Sequence, residues 1–208
     1  FGGYLAGHNV NTGSYNTVFG SYALAAGTTA SRQVAIGYAA LHEFIQGDTR
    51  NVAVGMYAMH RTESGSHNVA MGYEAMKGAN SSYDSDYNVS IGSQTMYSNA
   101  GGDSNTVIGY SAGYNITTGG DNVFVGYEAG QNVTTGAGNV IIGKNAGPSS
   151  TNTDSNKLYI NNAAGTPLIG GDFSAGTVTI TGDLIMPSGN KVQFEDSNRY
   201  LYQNGDHL

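Results

Sequence analysis

His42 and His60 each stand five residues after a glycine, in "GYAALH" and "GMYAMH". If the two segments are equivalent, the imidazoles stack, and imidazole nitrogen is a transition-metal donor. No carboxylate or Cys shares that slot and no H-x-H occurs, so both histidines are read as exposed or interface side chains and no metal is assigned. Asp48, Asp86, Asp103, Asp121 and Asp154 each stand just before a recurring Asn or the residue equivalent to it. Loop carboxylates suit Ca²⁺. Their offset varies, however, and the nonapeptide G-G-x-G-x-D is missing, so Asx-turns are the better reading. Paired carboxylates could hydrolyse a glycosidic bond. Glu43, Glu63, Glu74 and Glu128 are scattered, and the longest tail, Lys77 to Tyr87, adds about three residues to its repeat, too few for a groove. Tyr38, Tyr73, Tyr110 and Tyr127 follow the repeat glycine. Such a stripe stacks on sugars or packs with its hydroxyls at the wet edge, and packing is the better reading. No Ser/His/Asp triad or phosphate loop is evident. The chain is therefore read as non-enzymatic, with no catalytic, cofactor-binding or metal residue.

These residues all belong to a tandem array. The repeats start at Asn16, Gln33, Asn51, Asn68, Asn88, Asn105, Asn122 and Asn139, most of them 17 residues apart, and Asn156 follows 17 residues later. The pattern is N-V-A-I-G-Y-x-A and a polar tail. Seventeen residues are too few for a helical repeat or a propeller blade. They suit one coil of a β-solenoid or β-roll with two short strands and two turns. Coils pairing strand on strand at about 4.8 Å would make a rod on the order of 40 Å long.

Each recurring residue has a physical reason. The glycine (Gly20, Gly37, Gly55, Gly72, Gly92, Gly109, Gly126, Gly143) never changes. A positive φ or a close backbone contact would demand it. Stacked Asn amides can hydrogen-bond along a corner as a ladder. The alanine three residues after the glycine gives way only to Thr95, which implies a tight interior corner. The middle residue of each strand is also apolar (Val18, Ala35, Ala53, Ala70, Val107, Phe124, Ile141), Ser90 being the exception. Three apolar residues in a row mean that both strand faces are covered. The expectation is that the middle residue is hidden by a second copy of the chain, in a parallel homotrimer or another assembly that buries the same face.

Composition narrows the classes. The 208 residues include 32 Gly, 15 Tyr and no Cys or Trp, with 11% charged and a net charge of −7. Gly and β-branched residues disfavour long helices. The acidic balance excludes a nucleic-acid partner, since no basic patch can release counterions. No Cys means no disulfide or thiolate site. No apolar run approaches membrane-spanning length, and none reads as a signal peptide. The opening "FGGYLAG" reads as the middle of a repeat, as expected of a piece of a longer protein. The array is expected to occupy 1–155 and a β transition segment 156–183. An intertwined tip is expected over 184–208, with strands near Val192–Phe194 and Tyr200–Tyr202.

The tandem "NVAIGYAAL" and "NTVIGYSAGYNITTGGDNVFVGYEAGQNVTTGAGN" resembles the repeat region of phage tail-fibre and related bacterial surface proteins. "NKLYINNAAGTPLIGGDF" resembles the linker that follows such repeats. More distantly, the array is similar to the YadA-like head of trimeric autotransporter adhesins. The resemblance implies an all-β homotrimeric fibre, with two identical chains as partners. It would sit on a virion or cell surface and reach a host receptor, a glycan or a surface protein. It implies no cofactor, nucleic acid or membrane insertion. Many members of the phage family end in a self-cleaving chaperone, whose S-D-x-R-L-K type of motif does not occur here. A bacterial adhesin head, a carbohydrate-degrading tailspike and, from "TVTIT", an ice-binding solenoid are the other readings.

Overall fold

The computed structural model describes residues 2–45, 47, 49–79 and 84–185. Asp48 and the strands expected near 193 and 201 lie outside the described residues. Within them the chain is all-β, without a helix. Eight three-residue strands are stacked in chain order: β1 (Thr17–Phe19), β2 (Val34–Ile36), β3 (Val52–Val54), β4 (Val69–Met71), β5 (Val89–Ile91), β6 (Thr106–Ile108), β7 (Val123–Val125) and β8 (Val140–Ile142). Every neighbour is parallel and in register, so Val107 lies over Phe124 and Phe124 over Ile141. This is a β-solenoid with coils of about 17 residues. β9 (Lys157–Ile160) continues the parallel stack, and β10 (Ile169–Asp172) and β11 (Thr177–Ile180) extend the same sheet antiparallel.

Each coil carries one regular strand, not the two expected. The rest of the coil is turn, because several residues per coil adopt left-handed φ. In the coil of β3 these are Gly55, Tyr57, Met59, Gly65 and His67. Non-glycine residues resist that region by about 1–2 kcal/mol each. Backbone hydrogen bonds to neighbouring coils hold them there: Tyr57 N–H donates to the Tyr38 carbonyl (2.9 Å) and Met59 N–H to the Ala75 carbonyl (3.0 Å).

The starting Asn forms the expected ladder. Asn105 is fully buried. Its Nδ2 donates to Asn88 Oδ1 (3.1 Å) and to the Gly119 carbonyl (3.0 Å). Its Oδ1 accepts from the backbone N–H (3.1 Å) and Nδ2 (3.0 Å) of Asn122. The repeat glycine satisfies both expected reasons at once. Gly126 has φ +139°, and a Cβ on it would sit 2.5 Å from the Gly143 carbonyl oxygen.

The strand faces are the reverse of the expectation. Phe124 and Ile141 are 0% exposed inside their own coils, and Val18, Ala35, Ala53, Ala70 and Val107 are buried with them. The first and third residues of each strand point outward instead. A three-residue strand alternates its sides, so the central residue faces the interior and its two neighbours face out. Interior volume is shared between two slots. Where the central residue is Ala or Ser, the fourth residue after the glycine is large: Leu41, Met59, Met76, Met96. Where the centre is Val107, Phe124 or Ile141, that slot holds Gly113, Gly130 or Gly147. A side chain on Gly130 would run into the Phe124 ring.

The two exceptions in the array also explain each other. Ser90 Oγ donates to Thr95 Oγ1 (2.7 Å), and Thr95 Oγ1 reaches the Gly92 carbonyl (3.0 Å), all inside one coil. Removing either hydroxyl leaves a buried polar partner short of a bond. We expect Ser90→Ala and Thr95→Ala each to cost about 1 kcal/mol or more in urea unfolding. The double variant is expected to cost less than their sum by at least about 0.5 kcal/mol, because Ala35/Ala40, Ala53/Ala58 and Ala70/Ala75 already fill these slots. Gly126→Ala is expected to destabilise by well over 1 kcal/mol, whereas Gly176→Ala, with nothing within 4 Å of the added carbon, carries only its backbone penalty.

Candidate functional site: an apolar sheet face and an aromatic corner

Two surfaces of the solenoid present ordered side chains. The first is the outward face of the sheet. Its inner column is Thr17, Val34, Val52, Val69, Val89, Thr106, Val123 and Val140. The outer column is Phe19, Ile36, Val54, Met71, Ile91, Ile108, Val125 and Ile142. Leu158 and Ile160 of β9 continue both columns. Phe19 is 66% exposed, and Ile36, Met71, Ile108, Val123, Val125 and Ile142 all exceed a third. The ribbon is on the order of 40 Å long and 7 Å between columns, and no charged side chain interrupts it. By these dimensions the strip covers about 280 Å², comparable to the largest apolar patch of a typical monomer, and patches of that size are often interaction surfaces. Beside Ile142 and Ile160, Leu168 helps to line a cavity of about 380 Å³.

The second surface is the corner that follows the repeat glycine. Tyr22, Tyr38 and Tyr57 extend from Tyr4 as a ladder of edge-on rings, with centroids 5.5, 5.8 and 5.4 Å apart. The ladder is unbroken because tyrosine moves one place along the coil where Ser21 or Met56 follows the glycine. Tyr110 and Tyr127 stack at 5.1 Å, and Tyr97 and Tyr114 at 4.8 Å. Tyr38, Tyr73, Tyr110 and Tyr127 thus share a solvent-facing corner, each more than 40% exposed. The rings of Tyr38, Tyr110 and Tyr127 pack on one another or on neighbouring tyrosines at distances that stabilise aromatic pairs.

His42 and His60 do stack, with centroids 5.1 Å apart and planes within 8°. Tyr57 sets its ring edge-on to His60 at 5.1 Å. Together with Tyr22, Tyr38 and Ala39 the two imidazoles line a cavity of about 250 Å³. Burial, then repulsion from His42, Arg61 and Lys77, pushes His60 down to about 4, so it is neutral at pH 7. Glu43 brings its carboxylate to this pair. It occupies the next position in the coil rather than the histidine slot, so matching slot to slot does not find it.

The other acidic residues serve the frame. Asp86 Oδ1 accepts from Ser66 N–H (2.6 Å) and Ser66 Oγ (2.9 Å). Asp103 Oδ1 accepts from Asp86 N–H (2.8 Å), and Asp154 pairs with Asn152. Asp121 adopts a left-handed turn, its N–H bonded to the Asp103 carbonyl. Glu128 accepts from Asn145 Nδ2 at 2.8 Å. Among the described residues, only His42, Glu43 and His60 converge as a group of three metal-ligating side chains. Glu74 is nearly buried and pairs with Lys77 Nζ (2.5 Å) and Gln94 Nε2 (3.0 Å). Burial pushes its carboxyl up, but the hydrogen bonds from Lys77 and Gln94 outweigh this and hold it below its ordinary value. No described helix is long and apolar enough to cross a membrane. Comparison with protein-family models, curated proteins and solved structures finds no match to this chain.

A lowered carboxyl stabilises the fold above its ordinary value of 4.5, and the benefit fades as pH falls through the lowered one. Glu74→Gln should therefore cost about 1–3 kcal/mol at pH 7. That cost should shrink as acidification below 4.5 protonates the wild-type carboxyl. Paired urea titrations at pH 7 and in acid check this.

Proposed function

We propose that the chain is a shaft segment of a trimeric fibre, of the kind that a phage tail extends to a host-cell surface. The observation that carries this reading is the outward apolar ribbon of β1–β9. It is unbroken over nine strands, and nothing in the described chain covers it. Three solenoids side by side, each turning its ribbon to a common axis, would remove these columns from water. The interface assigned from the sequence to the middle strand residue thus moves to the flanking residues, and the reason for expecting it stays. The repeat pattern N-V-A-I-G-Y supports a fibre owner by its resemblance to tail-fibre repeats. β11, exposed along its whole length, suits contact with a neighbouring chain beyond the shaft.

Function in such a fibre is mechanical and multivalent. Three copies present the same aromatic corners together, and linked weak contacts gain avidity without one strong site. A host-surface glycan or protein is the receptor class this favours. Charged residues make up only 11% of the chain, so salt has little to screen.

Native mass spectrometry and sedimentation of the wild-type chain are expected to give a species of three chains. Ile108→Asp with Val125→Asp places two carboxylates in the ribbon and should shift the population to single chains with unchanged β-content. A wild-type chain that stays monomeric at high micromolar concentration would overturn the reading.

A further inference from the structure

We propose that His42, Glu43 and His60 form a binding site for a divalent transition-metal ion, of the Zn²⁺ or Co²⁺ class, within a single chain. Their donor atoms, one from each residue, all lie within 4.8 Å of one another. Tetrahedral ligation at 2.0–2.1 Å needs donors about 3.4 Å apart. Closing that gap requires the imidazoles to turn out of their parallel stack so that both nitrogens aim at one point. The two histidines come from successive coils whose turns are fixed by hydrogen bonds: Glu43 N–H donates to the His60 carbonyl at 3.1 Å. The backbone that carries all three residues is therefore set before any ion arrives.

A second, independent observation points to a ligand. The Nδ1 atoms of His42 and His60 are both buried and have no hydrogen-bond partner. Buried polar nitrogens are nearly always satisfied. These are two in one cluster, and among the described residues they are the buried side-chain polar atoms left without a partner. Two imidazoles and one carboxylate suit Zn²⁺, Co²⁺, Ni²⁺ or Cu²⁺ better than Ca²⁺ or Mg²⁺, which want mostly oxygen. Three protein ligands leave a fourth position for water, and the adjoining cavity of about 250 Å³ has room for one. Arg61 and Lys77 carry positive charge nearby, and Lys77 is paired with Glu74. The site occurs once: the same slot holds Lys77, Tyr97, Tyr114 and Gln131 in later coils. Metal bound here would clamp the coil of β2 to the coil of β3. The inference does not depend on how many chains assemble.

The test uses tag-free protein and calorimetric titration with ZnCl₂ and CoCl₂, with CaCl₂ and MgCl₂ as comparators. The expected result is one Zn²⁺ or Co²⁺ per chain, Co²⁺ giving the visible absorption of a low-coordinate N/O site, and no Ca²⁺ or Mg²⁺ at the same concentrations. His42→Gln, His60→Gln and Glu43→Gln should each weaken binding at least about tenfold, while His8→Gln, a histidine outside the cluster, should leave it unchanged. Glu43 is half-buried and outside the apolar core, so its variant keeps the test valid if a histidine variant fails to fold. Absence of Zn²⁺ and Co²⁺ binding up to millimolar concentration would overturn the proposal. So would binding that survives both Glu43→Gln and a folded histidine variant. A stoichiometry of one ion per three chains would place the ion on an assembly axis and equally refute it. A monomeric chain that binds one ion would instead refute the fibre reading and leave this one standing.

Discussion

The spacing between coils constrains everything else in this molecule. Parallel strands in register put each residue over its equivalent at about 4.8 Å, so every slot becomes a column and must tolerate its own copy above and below. The glycine column is the strictest case, because Gly126 lies so close to Gly143 that even a methyl group has no place. The asparagine column solves the opposite problem. A buried polar group at that spacing is costly unless its neighbour completes it, and the amide has one donor side and one acceptor side. Asn51, Asn68, Asn88, Asn105 and Asn122 therefore satisfy one another while also capping a carbonyl of the adjoining tail. Gln33 enters the same column by reaching the Asn51 N–H with Oε1 (3.2 Å).

Inside the coil the constraint is volume. A coil this small has room for few large side chains, and the strand centre competes for it with the left-handed turn position. The first half of the array puts bulk in the turn, and the second half puts it in the strand. The described core divides accordingly into one cluster around Leu41, Met59 and Met76 and another around Val107, Phe124 and Ile141. In the second cluster Ile116 and Val133, three residues beyond the turn glycine, complete the filling. From the coil of β2 onward the loose apolar consensus thus conceals a pairwise rule between positions six residues apart; the coil of β1, with Val18 and Leu24 both buried, carries bulk in both.

How much of this the sequence disclosed follows from which signals are periodic. The coil length, the glycine, the Asn ladder and the tight alanine corner are all properties of single columns, and column identity is visible in a repeat. The strand parity was misread because three apolar residues in a row carry no alternation. The clue was present in Ala35, Ala53 and Ala70: the small residue that marked the interior at Ala40, Ala58 and Ala75 marks it in the strand as well. The single strand per coil was hidden because left-handed turns at Tyr57, Glu74 and Gln94 need no glycine when hydrogen bonds to the preceding coil hold them. Glu43 escaped notice for a geometric reason, since a turn brings adjacent positions toward one point in a way that a strand does not.

A column also explains how so plain a chain can carry localised chemistry. Repetition fixes the backbone, so changing one slot in two successive coils creates a paired site without disturbing the frame. Tyr97 and Tyr114 give a stacked aromatic pair, His42 and His60 a stacked imidazole pair, and Glu74 with Lys77 and Gln94 a charged bridge between coils. All three sit on the corner after the glycine, outside the apolar core of the coil. The outward ribbon, by contrast, holds only apolar or Thr side chains in every coil. Drift at the corner and restraint on the ribbon are what would follow if the corner meets variable surroundings and the ribbon meets the same neighbour in every coil.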